Sequence, residues 1–277
     1  MSVQVPRADA LLGEATAKIA QPGTRLSREE ARAYVQFLES QGFRYAQDYV
    51  TNSRFMQALR AGDLPTEALA LFWLNWSGFV MEVNSLIQCA YQRHMGFFKR
   101  HLDLLTLFAE KIADELIHPR PPGHVLIVWQ QGEVFGLTRE QMINYEMLPG
   151  CRAMLEWQRG LLYEGTLAEY WGRPALEAFI GHWARDFRLS LLRAGYTPEQ
   201  LVYFQTHEDA DLAVHEEGVI AHGEFNKAVC QRILEEGLTY TRPGMSMEYC
   251  QRTGASLFGL MMDSVYTEWQ RQAGTRA

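Results

Sequence analysis

The segment His207-Glu-Asp-Ala-Asp211-Leu-Ala-Val-His215 sets two imidazoles and a carboxylate at four-residue intervals. At about 100° per residue, a helix carries Asp211 about 40° and His215 about 80° round from His207, so all three share one face. Tyr203, Phe204, Leu212 and Val214 make the surroundings of that face apolar. Ionisable groups are costly to bury there unless they are paired. Neutral imidazole together with carboxylate is a ligand set for iron or manganese. The competing reading is a solvated polar face, which Glu208, Asp209, Glu216 and Glu217 support.

A bundle metal site draws its ligands from several helices, so acids and imidazoles on other apolar faces matter. Glu115 follows Leu104, Leu107, Phe108 and Ile112, which repeat at helical spacing. His118 shares its face, while His124 opens the next apolar run beyond Pro119-Arg-Pro-Pro-Gly123. Either could join Glu115; we favour His124, because the break can re-aim it. Glu164 follows Leu161-Leu-Tyr163 and precedes Gly165, with Glu169 as the alternative one turn on. Glu82 lies between Phe79-Val-Met81 and Val83. Each also has a plainer reading: a helix-end charge for Glu115, a helix cap for His118, a core hydrogen bond for Glu164 or Glu82. His94, His101, His182 and His222 carry no supporting pattern and read as surface or packing residues.

The elements that would position these groups read as helices near 27–41, 48–61, 66–94, 96–118, 124–135, 138–147, 150–171, 174–194, 198–219, 222–237 and 246–272. Ser27-Arg-Glu-Glu30, Thr138-Arg-Glu-Gln141 and Thr197-Pro-Glu-Gln200 are capping boxes. Residues 1–22 read as a loose N-terminal arm and 23–277 as a single helical domain. A net charge of −7 argues against nucleic acid as a partner. Cys89, Cys151, Cys230 and Cys250 show no paired spacing, which gives neither a zinc ribbon nor a disulfide framework. The longest apolar stretch, 68–81, falls short of the roughly 18 residues that a membrane span needs. With no signal-peptide pattern at the start, the expected location is the cytoplasm.

Taken together, Glu115, His124, Glu164 and the His207/Asp211/His215 motif resemble the heme-oxygenase-like di-metal (diiron) oxidases and oxygenases. That family's pattern is a Glu followed by a His, a Glu on a later helix, then His-x-x-x-Asp-x-x-His. Here the last interval is one residue longer, which turns His215 about 100° from the family position. Locally, Glu164-Gly-x-x-x-Glu169-x-Trp171, with Glu82 after an aromatic segment, looks like the alkene-forming fatty-acid decarboxylase. The likeness spans roughly residues 66 to 237.

The resemblance implies an all-α, heme-oxygenase-like bundle of about seven core helices. It implies a pair of Fe(II) ions per chain, with manganese as the alternative, and O2 as co-substrate. Glu115, His124 and one of His207 and His215 would hold one metal; Glu164, Asp211 and the other His would hold the second. Glu82, His118 and Glu169 are further ligands or supports. The implied reaction is oxidative cleavage, by decarboxylation or C–C fragmentation, of a small carboxylate-bearing metabolite. N-oxygenation of an amine is the alternative on the same metals. The bundle is also that of metal-free thiaminase-like enzymes, which need a pocket cysteine, and of quinone-cofactor-synthase-like enzymes. A helical binding protein is the remaining reading. The expected partner is a small-molecule substrate, with no membrane or nucleic acid; a homodimer and an external electron donor are compatible with the pattern. Arg152, Arg185 and Arg188 are expected on the surface rather than in a substrate site.

Overall fold

The computed structural model describes residues 5–212 and 221–275. Among these it is all-helical, with no strand. The helices are α1 (Val5–Ile19), α2 (Arg28–Ala46), α3 (Arg54–Ala61), α4 (Thr66–Arg93), α5 (Met95–Phe98), α6 (Leu102–Leu116) and α7 (His124–Val134). They continue as α8 (Arg139–Asn144), α9 (Pro149–Tyr163), α10 (Leu167–Trp171), α11 (Leu176–Arg193), α12 (Val202–Leu212), α13 (His222–Glu236) and α14 (Met247–Gly274). A π turn at Gln47–Thr51 and a 3-10 turn at Pro198–Leu201 complete the set. No described helix is long and apolar enough to cross a membrane.

Local signals explain most boundaries. All three capping boxes form, with the Ser27, Thr138 and Thr197 side chains taking orphan amides and Glu30, Gln141 and Gln200 reaching back. The core is aromatic. Trp73, Trp76 and Phe72 of α4 pack against Trp183 and Phe187 of α11, Tyr203 and Phe204 of α12, and Phe258 of α14. Trp73 Nε1–H donates to the Val128 carbonyl at 2.8 Å, which locks α4 to α7.

Three expectations need correction. The supposed loose arm contains α1, which packs along α2. Its Ala15 is buried, and Leu12 and Ile19 lean on the core, an i, i+3, i+7 stripe too sparse to register as periodic. The continuous helix expected over 150–171 is broken, because Thr166 caps a new helix by accepting from the Glu169 amide. The helix expected over 198–219 is described only to Leu212, and His215 lies outside the described residues.

Candidate metal centre

Glu115 and His124 meet where α6 ends and α7 begins. Gly123 makes this possible: its φ of 69° and ψ of −135° suit glycine alone, and an added Cβ would sit 2.1 Å from the Glu115 carbonyl oxygen. The chain therefore doubles back onto α6 and sets His124 Nδ1 2.8 Å from Glu115 Oε2. The contact joins opposite charges but is off the line a hydrogen bond needs, so the buried Nδ1 keeps no hydrogen-bond partner.

His207 completes this group. Its ring lies 4.9 Å from that of His124 and 4.1 Å from that of Tyr203. Nδ1–H donates to the Tyr203 carbonyl at 2.9 Å, which leaves Nε2 as the atom with a free lone pair. This is the support that metal-binding imidazoles ordinarily have. Tyr203 is fixed in turn, because Trp76 Nε1–H donates to its hydroxyl at 2.7 Å.

One turn beyond His207, Asp211 belongs to a second group with Glu177 of α11 and His222 of α13, whose candidate ligand atoms all lie within 4.8 Å of one another. Gly181 brings the helices together: a Cβ there would lie 2.8 Å from Asp211 Cβ and 2.7 Å from Leu212 Cγ. His222 Nδ1 is 3.3 Å from Asp211 Oδ1, and its Nε2 is 3.4 Å from Asp114 Oδ2. Lys111, one turn before Glu115, pairs with Glu177 at 2.6 Å while only 4% exposed.

Protons and one ammonium balance the buried acids. Burial pushes the Glu115 carboxyl up, but His124 beside it more than reverses this and holds it well below the carboxylate range. Burial lowers His124 and Glu115 raises it, for a net rise. Burial, with His124 alongside, pushes His207 down to about 4. It pushes Asp211 up to about 6. For His222, burial and Lys111 act downward, yet Asp114 and Asp211 outweigh them and raise it to about 9. Burial raises Glu177, and Lys111 brings it below its ordinary value.

The donor set fits divalent cations. Asp211 Oδ2 is buried with no hydrogen-bond partner, which costs free energy unless something else satisfies it, and His124 Nδ1 is matched by the Glu115 carboxylate. Carboxylates and imidazoles from α6, α7, α11, α12 and α13 surround them, and cations could replace the balancing protons.

Of the residues expected from sequence, Glu115, His124, His207 and Asp211 come together. Glu164 does not: its side chain is 77% exposed just past the end of α9 and, among the described residues, its ion pair is with Arg242 at 3.8 Å. Glu169 is fully buried but committed elsewhere, accepting from the Arg242 amide at 2.6 Å and from its guanidinium at 2.8 Å. Glu82 is held by Arg152 and Arg159 outside the site. His118 is exposed beyond α6. Glu169→Gln should therefore cost about 1.5 kcal/mol of stability, as expected when charge-assisted hydrogen bonds to a partly exposed guanidinium are weakened, and leave metal binding alone. Urea melts and metal titrations of the variant check both halves.

Glu177 and His222 were missed, and His222 is not the surface or packing residue expected. Both had a signal. Glu177 leads the stripe Ile180, Ala184, Phe187, and His222 leads Phe225, Asn226, Val229, each at helical spacing on a buried face. His94 is a packing residue as expected, its Nδ1 accepting from Trp171 Nε1–H at 3.0 Å.

No family model matches the chain, and no curated protein does. Solved structures share its fold. A TenA homologue from Pseudomonas syringae pv. tomato str. DC3000 has a TM-score of 0.63 at 12% identity, covering 90% of this chain and 96% of that one. A TenA family transcription regulator from Silicibacter sp. TM1040 has a TM-score of 0.52 at 12% identity, covering 85% and 94%. The likeness is one of fold: the all-α, heme-oxygenase-like bundle expected from the sequence is the architecture found.

Proposed function

We propose that this protein is a non-heme di-metal oxidase or oxygenase, iron-dependent, that uses dioxygen to oxidise a small carboxylate-bearing metabolite. The observation that carries this reading is the convergence of Glu115, His124 and His207 with Glu177, Asp211 and His222. The first three offer two imidazoles and one carboxylate, a ligand set of non-heme Fe(II) oxygenases. The second three offer two carboxylates and one imidazole. Bound iron would supply the redox chemistry with dioxygen that amino-acid side chains lack.

The remaining work falls to the chain's own residues. Tyr203 holds the His207 ring and its tautomer through the backbone carbonyl. Lys111 places a cation beside Glu177 and restrains that carboxylate. The adjoining cavity, about 130 Å³, has an apolar wall of Trp76, Phe79, Val80 and Val83 that offers a substrate's apolar part a surface beside the polar groups.

A metal-free thiaminase-like reading fits the same bundle but needs a thiol in the cavity. None of the four cysteines lines it. Burial pushes the Cys151 and Cys230 thiols up to about 12 and Cys250 to about 11, the opposite of activation.

Anaerobic titration with Fe(II), followed by exposure to air, tests the proposal. Tight iron binding and an absorbance change that needs both iron and oxygen are expected. Absence of tight iron, or thiamin cleavage that survives chelation, would overturn it.

A further inference from the structure

The cavity that the metal centre opens onto has a second charged feature. Arg173 lines it and is 4% exposed. Burial lowers its pKa, but a guanidinium stays charged in a protein. A buried guanidinium is ordinarily matched to a carboxylate, yet among the described residues no acid lies within ion-pair distance of this one. Glu177, four residues on, is taken by Lys111 at 2.6 Å. Glu169, four residues back, is taken by Arg242.

The guanidinium is nevertheless held in place. Its Nε donates to the Tyr170 carbonyl at 2.9 Å and Nη1 to Gln158 Oε1 at 2.7 Å. Its Cζ lies 5.2 Å from the centre of the Tyr170 ring. Nη2 makes no hydrogen bond among the described residues. Arg173 thus has Nε and one N–H of Nη1 engaged by protein groups and the whole of Nη2 left over, in a cavity whose walls are mostly apolar.

Two more polar groups in the same cavity lack partners. Asn84 Nδ2 and Asn226 Oδ1 are buried with no hydrogen bond, on side chains that line it. Asn226 lies one helical turn beyond His222, next to the metal centre. Arg173 stands instead where the cavity meets a smaller one that contains none of the centre's residues.

We propose that Arg173 receives the carboxylate of the substrate, so that the opposite end of the molecule is the one presented to the metal centre. The apolar walls between take an aliphatic or aryl segment. The Asn226 amide, beside His222, meets a hydroxyl or amino group on the reacting end. The substrate class is therefore a small carboxylate functionalised at its far end, and the carboxylate is retained rather than lost. This rests on the metal-dependent reading for the identity of the reacting end, but carboxylate capture by Arg173 does not require metal.

The test uses hexanoate and its neutral counterpart hexanamide, with binding followed by tryptophan fluorescence and calorimetry. Titrations are run on metal-free protein and on protein offered redox-silent Zn(II). Metal-free wild type should bind hexanoate more tightly than hexanamide. Arg173→Met should weaken hexanoate by roughly 30-fold or more, as expected when one partner of a buried charge pair is removed. Hexanamide binding and Zn(II) stoichiometry should be unchanged. Arg173→Lys, which keeps the charge but not the fork, should fall between.

Equal binding of acid and amide by wild type, or hexanoate binding indifferent to Arg173→Met, overturns the proposal. So does hexanoate binding that appears only with Zn(II). Failure of Zn(II) to bind at all would instead count against the metal centre and leave the carboxylate result standing. Should Arg173→Met not fold, wild-type crystals soaked with ω-bromohexanoate decide the matter. The anomalous bromine signal should lie towards His207 and the carboxylate on Arg173; the reverse orientation refutes the inference.

Discussion

Glu177→Gln should weaken binding of the second divalent cation by at least ~100-fold, about 3 kcal/mol, whereas Glu164→Gln should leave it unchanged. Glu177 sits within 4.8 Å of Asp211 and His222 ligand atoms, and Glu164 is largely in solvent. His222→Ala should act like Glu177→Gln. Anaerobic Fe(II) titrations of the variants read all of these directly. A loss in Glu164→Gln with none in Glu177→Gln would return the ligand set to the one expected from sequence alone.

The same titration carries a pH signature. His222, raised to about 9 in the metal-free protein, must lose its proton to bind a metal. Apparent affinity should therefore climb with pH until about that value and then level. For folding, an imidazole whose pKa is raised stabilises the metal-free protein fully below its ordinary 6.5, and that contribution disappears as the pH rises through about 9. Metal-loaded protein should not show this loss. Urea melts of the two forms between those pH values provide the check.

Gly123→Ala should be strongly damaging, costing about 3 kcal/mol. Its backbone occupies a region closed to residues with a side chain, and the new methyl would overlap the Glu115 carbonyl. The strain falls between two proposed ligands, so relief by backbone movement would carry His124 away from Glu115. Reduced melting temperature and reduced metal affinity should therefore appear together. Gly160→Ala is the control. It lies inside α9 with open space around the added Cβ, and should stabilise by up to ~1 kcal/mol through helix propensity. Equal behaviour of the two variants would show that the α6–α7 turn does not depend on Gly123.

Much of this protein was determined by the sequence alone. Capping side chains and apolar repeats are local, so the helices at 27–41, 66–94 and 124–135 and the buried faces bearing Glu115, His207 and Asp211 could be read directly. Apolar surroundings on one helix say that a carboxylate is buried, not what it meets. Glu82, Glu169 and Glu177 all have such surroundings, yet arginines take the first two and the third lies with Asp211 and His222. What separates them is the relation between helices, set by side-chain volume where they cross. Gly181 lets α11 close on α12, Gly123 folds α7 back onto α6, and α9 ends at Tyr163, which leaves Glu164 in solvent. These are steric facts about pairs of elements, and no periodicity within one helix encodes its partner. The sequence therefore determined which helix faces are apolar, and the tertiary structure alone decided which of the charged groups on them are buried together.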